Sequence, residues 1–255
     1  LAATFGLKGP LASWLKVGSW VGGDRDGNPF VTATSLDYAV TRNAGVVFDF
    51  YLEEIQALGS ELSLSLELVP ASEALARLAD ASAHESAHKS DEPYRRALTT
   101  IYGRMAATRL ALLGQPAARP PRREEPAYET AEDFANDLAV IADSLLLNGS
   151  ADVAEGRLGH LREAVQSFGF HLAVMDLRQN SAVHEKAVAE LLAAAGVAQN
   201  YAALAEAERV PLLVRELEAP RLLRTPYRSY SEATARELAI VDMAARLRQQ
   251  FGASA

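Results

Sequence analysis

A chain of 255 residues, 49% of them hydrophobic and 23% charged, holds enough apolar side chain for a sizeable core, in one large domain or two small ones. Its formal net charge of −8, with no dense Lys/Arg stripe, excludes nucleic acid as the partner and leaves room only for an isolated anion site. The absence of cysteine rules out disulfides, thiolate metal sites and thiol redox chemistry, a composition compatible with the cytoplasm.

No stretch approaches the ~18 uninterrupted apolar residues of a membrane helix, and the N-terminus lacks the charged head, apolar middle and cleavage site of a signal peptide. The chain starts at Leu1 rather than Met, so a piece of a longer protein is the expectation. Leu1 to Lys16 reads as an irregular lead-in with Gly6, Gly9 and Pro10, and Val17 to Val21 suits a short strand entering a glycine-rich loop. From Thr32 a long helix is predicted. Its apolar positions Leu36, Val40, Val47, Tyr51, Ile55, Leu58, Leu62 and Leu66 recur at three- and four-residue steps, and Pro70 ends it.

A shorter helix and a polar link fill Ala71 to Asp91. The next helix starts at Pro93 and runs through Tyr94, Leu98, Ile101, Met105 and Leu112. Gly114 to Pro126, with four prolines and Arg119, Arg122 and Arg123, is a surface loop. Thr130 and Asp133 have capping-box spacing ahead of Phe134, Leu138, Ile141 and Leu145, and Asn148-Gly149 closes that helix. Another helix spans Val153 to Ser167. After Gly169 the pattern alternates, with His171, Ala173, Met175 and Leu177 on one face and Leu172, Val174, Asp176 and Arg178 on the other, as in a strand. Asn180 or Ser181 caps a helix running to about Ala195, and two more helices fill Tyr201 to Ala219 and Ser231 to Phe251. The class is mainly α, with one or two short strands.

Three segments carry candidate chemistry. In the loop Gly18-Ser19-Trp20-Val21-Gly22-Gly23-Asp24-Arg25-Asp26-Gly27-Asn28-Pro29-Phe30, the glycines allow a tight fold that crowds Asp24, Arg25 and Asp26. A calcium loop is excluded, because Pro29 stands where the sixth EF-hand position needs glycine and Ser35 where the twelfth needs glutamate. On the strand, Asp176 and Arg178 share a face, where the carboxylate can orient the guanidinium beside the N-terminus of the next helix. Spacing alone supports an anion site and a structural ion pair equally. His84-Glu85-Ser86-Ala87-His88 fits H-E-x-x-H, yet its flanks are polar and the twenty residues after Asp91 offer only Glu92 as an acidic third ligand. A solvated surface segment is therefore the better reading and a zinc hydrolase a remote one. His160, His171 and His184 are lone and read as core or surface residues.

The run Gly18 to Phe30 closely resembles the G-S-W-x-G-G-D-R-D-G-N-P signature of the phosphoenolpyruvate carboxylases. Phe168 to His184 resembles that family's F-G-x-x-L-x-x-x-D-x-R-Q-x-S-x-x-H, and Ile55 to Ser65 and Glu92-Pro93-Tyr94-Arg95 agree in order. The resemblance implies a central fragment, residues 1–255, of a large cytoplasmic homotetramer. That enzyme is a lyase that joins bicarbonate to phosphoenolpyruvate with Mg²⁺, giving oxaloacetate for the tricarboxylic acid cycle. It further implies that the strand or strands of 171–178 and the 18–30 loop belong to an incomplete α/β, TIM-like barrel, between helical stretches 32–168 and 181–251. By the same likeness Arg178 holds the substrate phosphate and Trp20 lines the pocket around the methylene end, with Asp24, Arg25, Asp26 and Asp176 near the site.

The family's T-A-H-P-T-E motif, acidic metal ligands, catalytic lysine and glycine- and arginine-rich loop have no counterpart here. The expectation is a chain that is inactive alone and that self-associates through exposed apolar faces. The competing expectation is a non-catalytic helical interaction module derived from the family.

Overall fold

A computed structural model describes residues 16–80 and 91–252. It is mainly helical, with nine α-helices among the described residues, one 3₁₀ turn and a pair of two-residue parallel strands. The described parts of Leu1–Ser19, Val40–Val174 and Arg248–Ala255 form one compact unit, and Trp20–Ala39 with Met175–Leu247 forms a second. The H-E-x-x-H segment, 84–88, lies outside the described residues.

Helix α1 (Ala33–Glu61) begins where Thr32 and Ser35 exchange backbone-to-side-chain hydrogen bonds of 3.2 and 3.4 Å. Its predicted stripe from Leu36 to Leu62 is buried. The helix stops nine residues short of Pro70. Past Glu61 the serine hydroxyls find partners outside the helix, Ser63 on Glu92 and Ser65 on Asp91, and Leu66 N–H donates to the Asp91 carbonyl at 2.7 Å. Leu66 is consequently 46% exposed rather than part of the stripe.

The first unit is a helical assembly of most of α1 with α2 (Glu73–Asp80), α3 (Pro93–Leu113), α4 (Ala131–Leu147), α5 (Ala151–Glu155) and α6 (Arg157–Phe168). Helix α2 packs on α3 and on α4, and α4 packs on α5 and α6. Pro93 and the left-handed Gly114 bound α3 as predicted. The Thr130/Asp133 capping box opens α4, while Asn148 and the positive-φ Gly149 close it. The single helix expected over 153–167 is two, because Gly156 adopts a non-helical ψ of −128° between α5 and α6. At the centre, Tyr51, Phe134 and Tyr128 form a chain of tilted rings with centroids 5.4 Å apart at each step. Tyr51 Oη donates to the Gly169 carbonyl at 2.7 Å, and its burial pushes the phenol pKa upward.

The strand predicted over 171–178 shrinks to β2 (Val174–Met175), which pairs with β1 (Gly18–Ser19). The reason lies at its start. His171 and Leu172 N–H both turn back to the Phe168 carbonyl, and Leu172 has φ 69°, so the backbone is extended only from Ala173 onward.

The second unit contains the 20–30 loop, the first residues of α1, α7 (Ser181–Ala194), the 3₁₀ turn Tyr201–Ala203, α8 (Glu206–Glu218) and most of α9 (Glu232–Phe251). Asn180 caps α7 by accepting from Ala182 N–H at 3.0 Å. The helix expected from Tyr201 begins only at Glu206, after the 3₁₀ turn, and α8 has no buried residue.

Candidate anion-binding site

The glycine and aspartate loop turns tightly after Trp20, whose carbonyl accepts from both Gly23 and Asp24 N–H at 2.9 and 3.0 Å. Gly22 has φ +96°, and a Cβ there would lie 2.4 Å from the Ala39 Cβ. Gly23 meets a harder limit, since its Cβ would lie 2.2 Å from the Asp176 carbonyl oxygen. The missing side chain lets two backbones touch. Arg178 N–H then donates to the Gly23 carbonyl at 3.0 Å and Arg25 N–H to the Arg178 carbonyl at 2.9 Å, a parallel bridge between Asp24 and Arg178.

This bridge brings together side chains 154 residues apart in the sequence. The Arg178 guanidinium carbon lies 4.8 Å from the Trp20 ring centroid, and its Nη1 donates to Asp24 Oδ2 at 3.4 Å. Nη1 is the only guanidinium nitrogen of Arg178 with a hydrogen-bond partner among the described residues, which leaves the rest of the fork open. The Arg178 and Asp24 side chains are 47% and 36% exposed, and Trp20 is 56% exposed, so the group faces solvent.

The carboxylate that orients Arg178 is Asp24, not Asp176 as strand alternation predicted. With the strand cut short, Asp176 spends its carbonyl on the approach to Gly23, and its exposed side chain has no polar partner among the described residues. Asp26 does not reach the guanidinium. Its N–H donates to Asp24 Oδ1 at 3.3 Å and Phe30 N–H donates to Asn28 Oδ1 at 3.1 Å, each closing an Asx turn.

Arg25 is buried, and its Nη1 meets Glu237 Oε2 on α9 at 2.5 Å. The other Glu237 oxygen accepts from Gln179 Nε2 at 3.0 Å. Sequence reading missed Glu237, although a signal existed. It falls between Thr234 and Ile240, both buried, so an acid occupies the inward stripe of α9. A cavity of about 640 Å³ opens beside Arg25, Asp26, Asn28, Gln179, Asn180 and Arg236, and neither Trp20 nor Arg178 lines it.

Elsewhere, His171 is buried with Nδ1 unpartnered among the described residues, and burial lowers its pKa. It packs as a neutral core residue. No three His, Asp or Glu side chains gather among the described residues to hold an ion, so the Mg²⁺ implied by the resemblance finds no ligand set among them. No described helix is long and apolar enough to cross a membrane.

The site can do one thing chemically: present a half-exposed guanidinium, stacked on an indole, to a planar or tetrahedral anion. The family description "Phosphoenolpyruvate carboxylase" matches residues 3–255. A curated phosphoenolpyruvate carboxylase of Aromatoleum aromaticum is 53% identical over 245 residues, 96% of this chain and 27% of that protein. Those of Ralstonia nicotianae and Burkholderia mallei are 50% and 48% identical over 97% and 99% of this chain, and 25% and 26% of their own lengths. The chain thus spans about a quarter of the relatives it matches.

Proposed function

The chain belongs to the phosphoenolpyruvate carboxylase family, and from that membership we propose that Arg178 and Trp20 form one wall of a phosphoenolpyruvate site in a longer carboxylase. The observation that carries the reading is the stacked guanidinium with a single long bond to Asp24, because its free donors suit the phosphate of the substrate. Trp20 holds the guanidinium plane and presents an apolar face. Such a face suits the methylene end of the substrate and keeps water from an enolate formed there.

In this reading the longer protein joins bicarbonate to phosphoenolpyruvate with Mg²⁺, as a cytoplasmic homotetramer whose α/β barrel includes β1 and β2. Asp24 keeps Arg178 oriented while the site is empty. Arg25 serves from behind the site, and Asp26 shapes the loop. The family's T-A-H-P-T-E motif and its metal-ligand segments have no counterpart in this sequence, and on that ground the proposal includes a chain that by itself makes no oxaloacetate.

In the longer protein, Arg178→Ala should lower kcat/KM for phosphoenolpyruvate by roughly 10- to 100-fold, the size of one lost charge-assisted contact. An unchanged kcat/KM would refute the phosphate role. Oxaloacetate production by the purified 255-residue chain would refute its inactivity.

A further inference from the structure

We infer that Glu237 is a positioning residue for the Arg178–Trp20 pair, acting through Arg25 and Gln179. The inference rests on the proposed role of that pair, but its geometry stands apart from any ligand. Glu237 divides its two oxygens between the neighbours of Arg178: Oε2 takes Arg25 Nη1 at 2.5 Å and Oε1 takes Gln179 Nε2 at 3.0 Å. Arg25 is in turn bonded through its backbone to the Arg178 carbonyl at 2.9 Å, and Gln179 is the next residue in the chain. One carboxylate therefore grips the Arg178 main chain from both sides.

The grip continues into α7. Gln179 Oε1 accepts from Asn180 N–H at 2.8 Å, and Asn180 caps the helix, so the amide of Gln179 has one orientation that satisfies both partners. Electrostatics makes the carboxylate hard to replace. The Arg25 and Glu237 side chains are 7% and 13% exposed, and Arg25 Nε has no partner among the described residues. Removing the negative charge leaves a buried guanidinium without its counter-ion, and Arg25 must move toward water. Any such movement pulls the loop carrying Trp20 and Asp24 away from Arg178. A plain structural pair would stabilise α9 without setting the stacking geometry, and this distinction can be measured.

The chain has two tryptophans, Trp14 and Trp20, so Trp14→Phe makes Trp20 the sole indole reporter. In that background, Arg178→Ala, Glu237→Gln, Gln179→Ala and the control Glu232→Gln would be compared by Trp20 emission and acrylamide quenching. Far-UV circular dichroism and thermal melting would be followed alongside. Glu232 pairs with Arg236 at 2.6 Å on the exposed side of the same helix. Glu237→Gln is expected to shift emission and quenching in the direction of Arg178→Ala, Gln179→Ala to shift them less, and Glu232→Gln not at all. Titrated with phosphoenolpyruvate, the Glu237→Gln chain should bind about tenfold more weakly than its parent, equivalent to about 1.4 kcal/mol.

A folded Glu237→Gln chain with the parent's Trp20 signal overturns the inference, even where binding is weaker. If Glu237→Gln fails to fold, the same criterion applies to Gln179→Ala. A Trp20 shift in a series whose parent ignores phosphoenolpyruvate upholds the positioning role and refutes the substrate reading instead.

Discussion

In the first unit the large buried side chains Tyr51, Phe134, Leu98 and Ile101 lie in an apolar interior, with rings 5.4 Å apart. The second buries fewer large side chains, among them Leu36, Leu192 and Ile240, and adds ion pairs between distant parts of the sequence: Arg25 with Glu237, Arg209 with Glu185, Arg224 with Asp242 and Arg246 with Asp37, all within 2.5–2.8 Å. Apolar burial is non-directional and scales with area, whereas a charged hydrogen bond fixes an angle and adds little net stability. Around the anion site the Arg25–Glu237 pair orients, whereas at the centre of the first unit ring burial stabilises. Four measurements test that contrast.

The largest effect belongs to Phe134→Ala, which empties the middle of the ring chain and should cost about 3–5 kcal/mol. Urea unfolding would measure it, and a loss below about 1 kcal/mol would mean that the first unit does not depend on its aromatic core. Gly23→Ala comes next, at about 1–3 kcal/mol, because the added methyl must push the Asp176 carbonyl away. Its distinguishing sign is a change in Trp20 fluorescence, which Phe134→Ala should not reproduce.

The third effect is a two-step loss of stability with acid. His171 has a lowered pKa in the fold, so the unfolded chain takes up the proton more readily. Its contribution is complete above about pH 6.5 and is lost as the pH falls below it. Glu92 and Glu190 also have lowered pKa values, held down chiefly by the hydroxyls of Ser63 and Ser231, so their contribution is lost only below about pH 4.3. His171→Leu should flatten the upper step in a melting-temperature profile and Ser231→Ala should shrink the lower one. A profile with the upper step intact in His171→Leu would assign that step to another group. Smallest is Arg224→Ala, which breaks a half-exposed pair and should move the urea midpoint only slightly, less still at high salt. A larger shift would promote surface pairs to a stabilising role in the second unit.

Much of this was legible in the sequence, and the failures share a cause. Pro93, Gly114, the Thr130/Asp133 box and the stripe from Leu36 to Leu62 were readable because a helix end or face depends on residues within a turn or two. The overrun of α1 toward Pro70 came from partners 26 and 29 residues away, Asp91 and Glu92, which capture Ser65 and Ser63. The strand expected over 171–178 failed on one left-handed residue, Leu172, whose φ no alternation pattern encodes. For the site, the motif pointed to Trp20 and Arg178, but choosing Asp24 over Asp176 required knowing which backbone crosses the strand. Glu237, 212 residues from Arg25, was visible only as a charge on an inward stripe.

The contact at Gly23 has a consequence for how mutations would be tolerated along the loop. A saturation library at this position should return glycine alone, because every other side chain begins with the same carbon and that carbon collides with a main-chain oxygen. At Gly27, where φ is +70° and nothing lies within 4 Å of the missing carbon, asparagine and aspartate should survive as well. Two glycines four residues apart would then give unlike selection profiles, one limited by volume and the other by torsion.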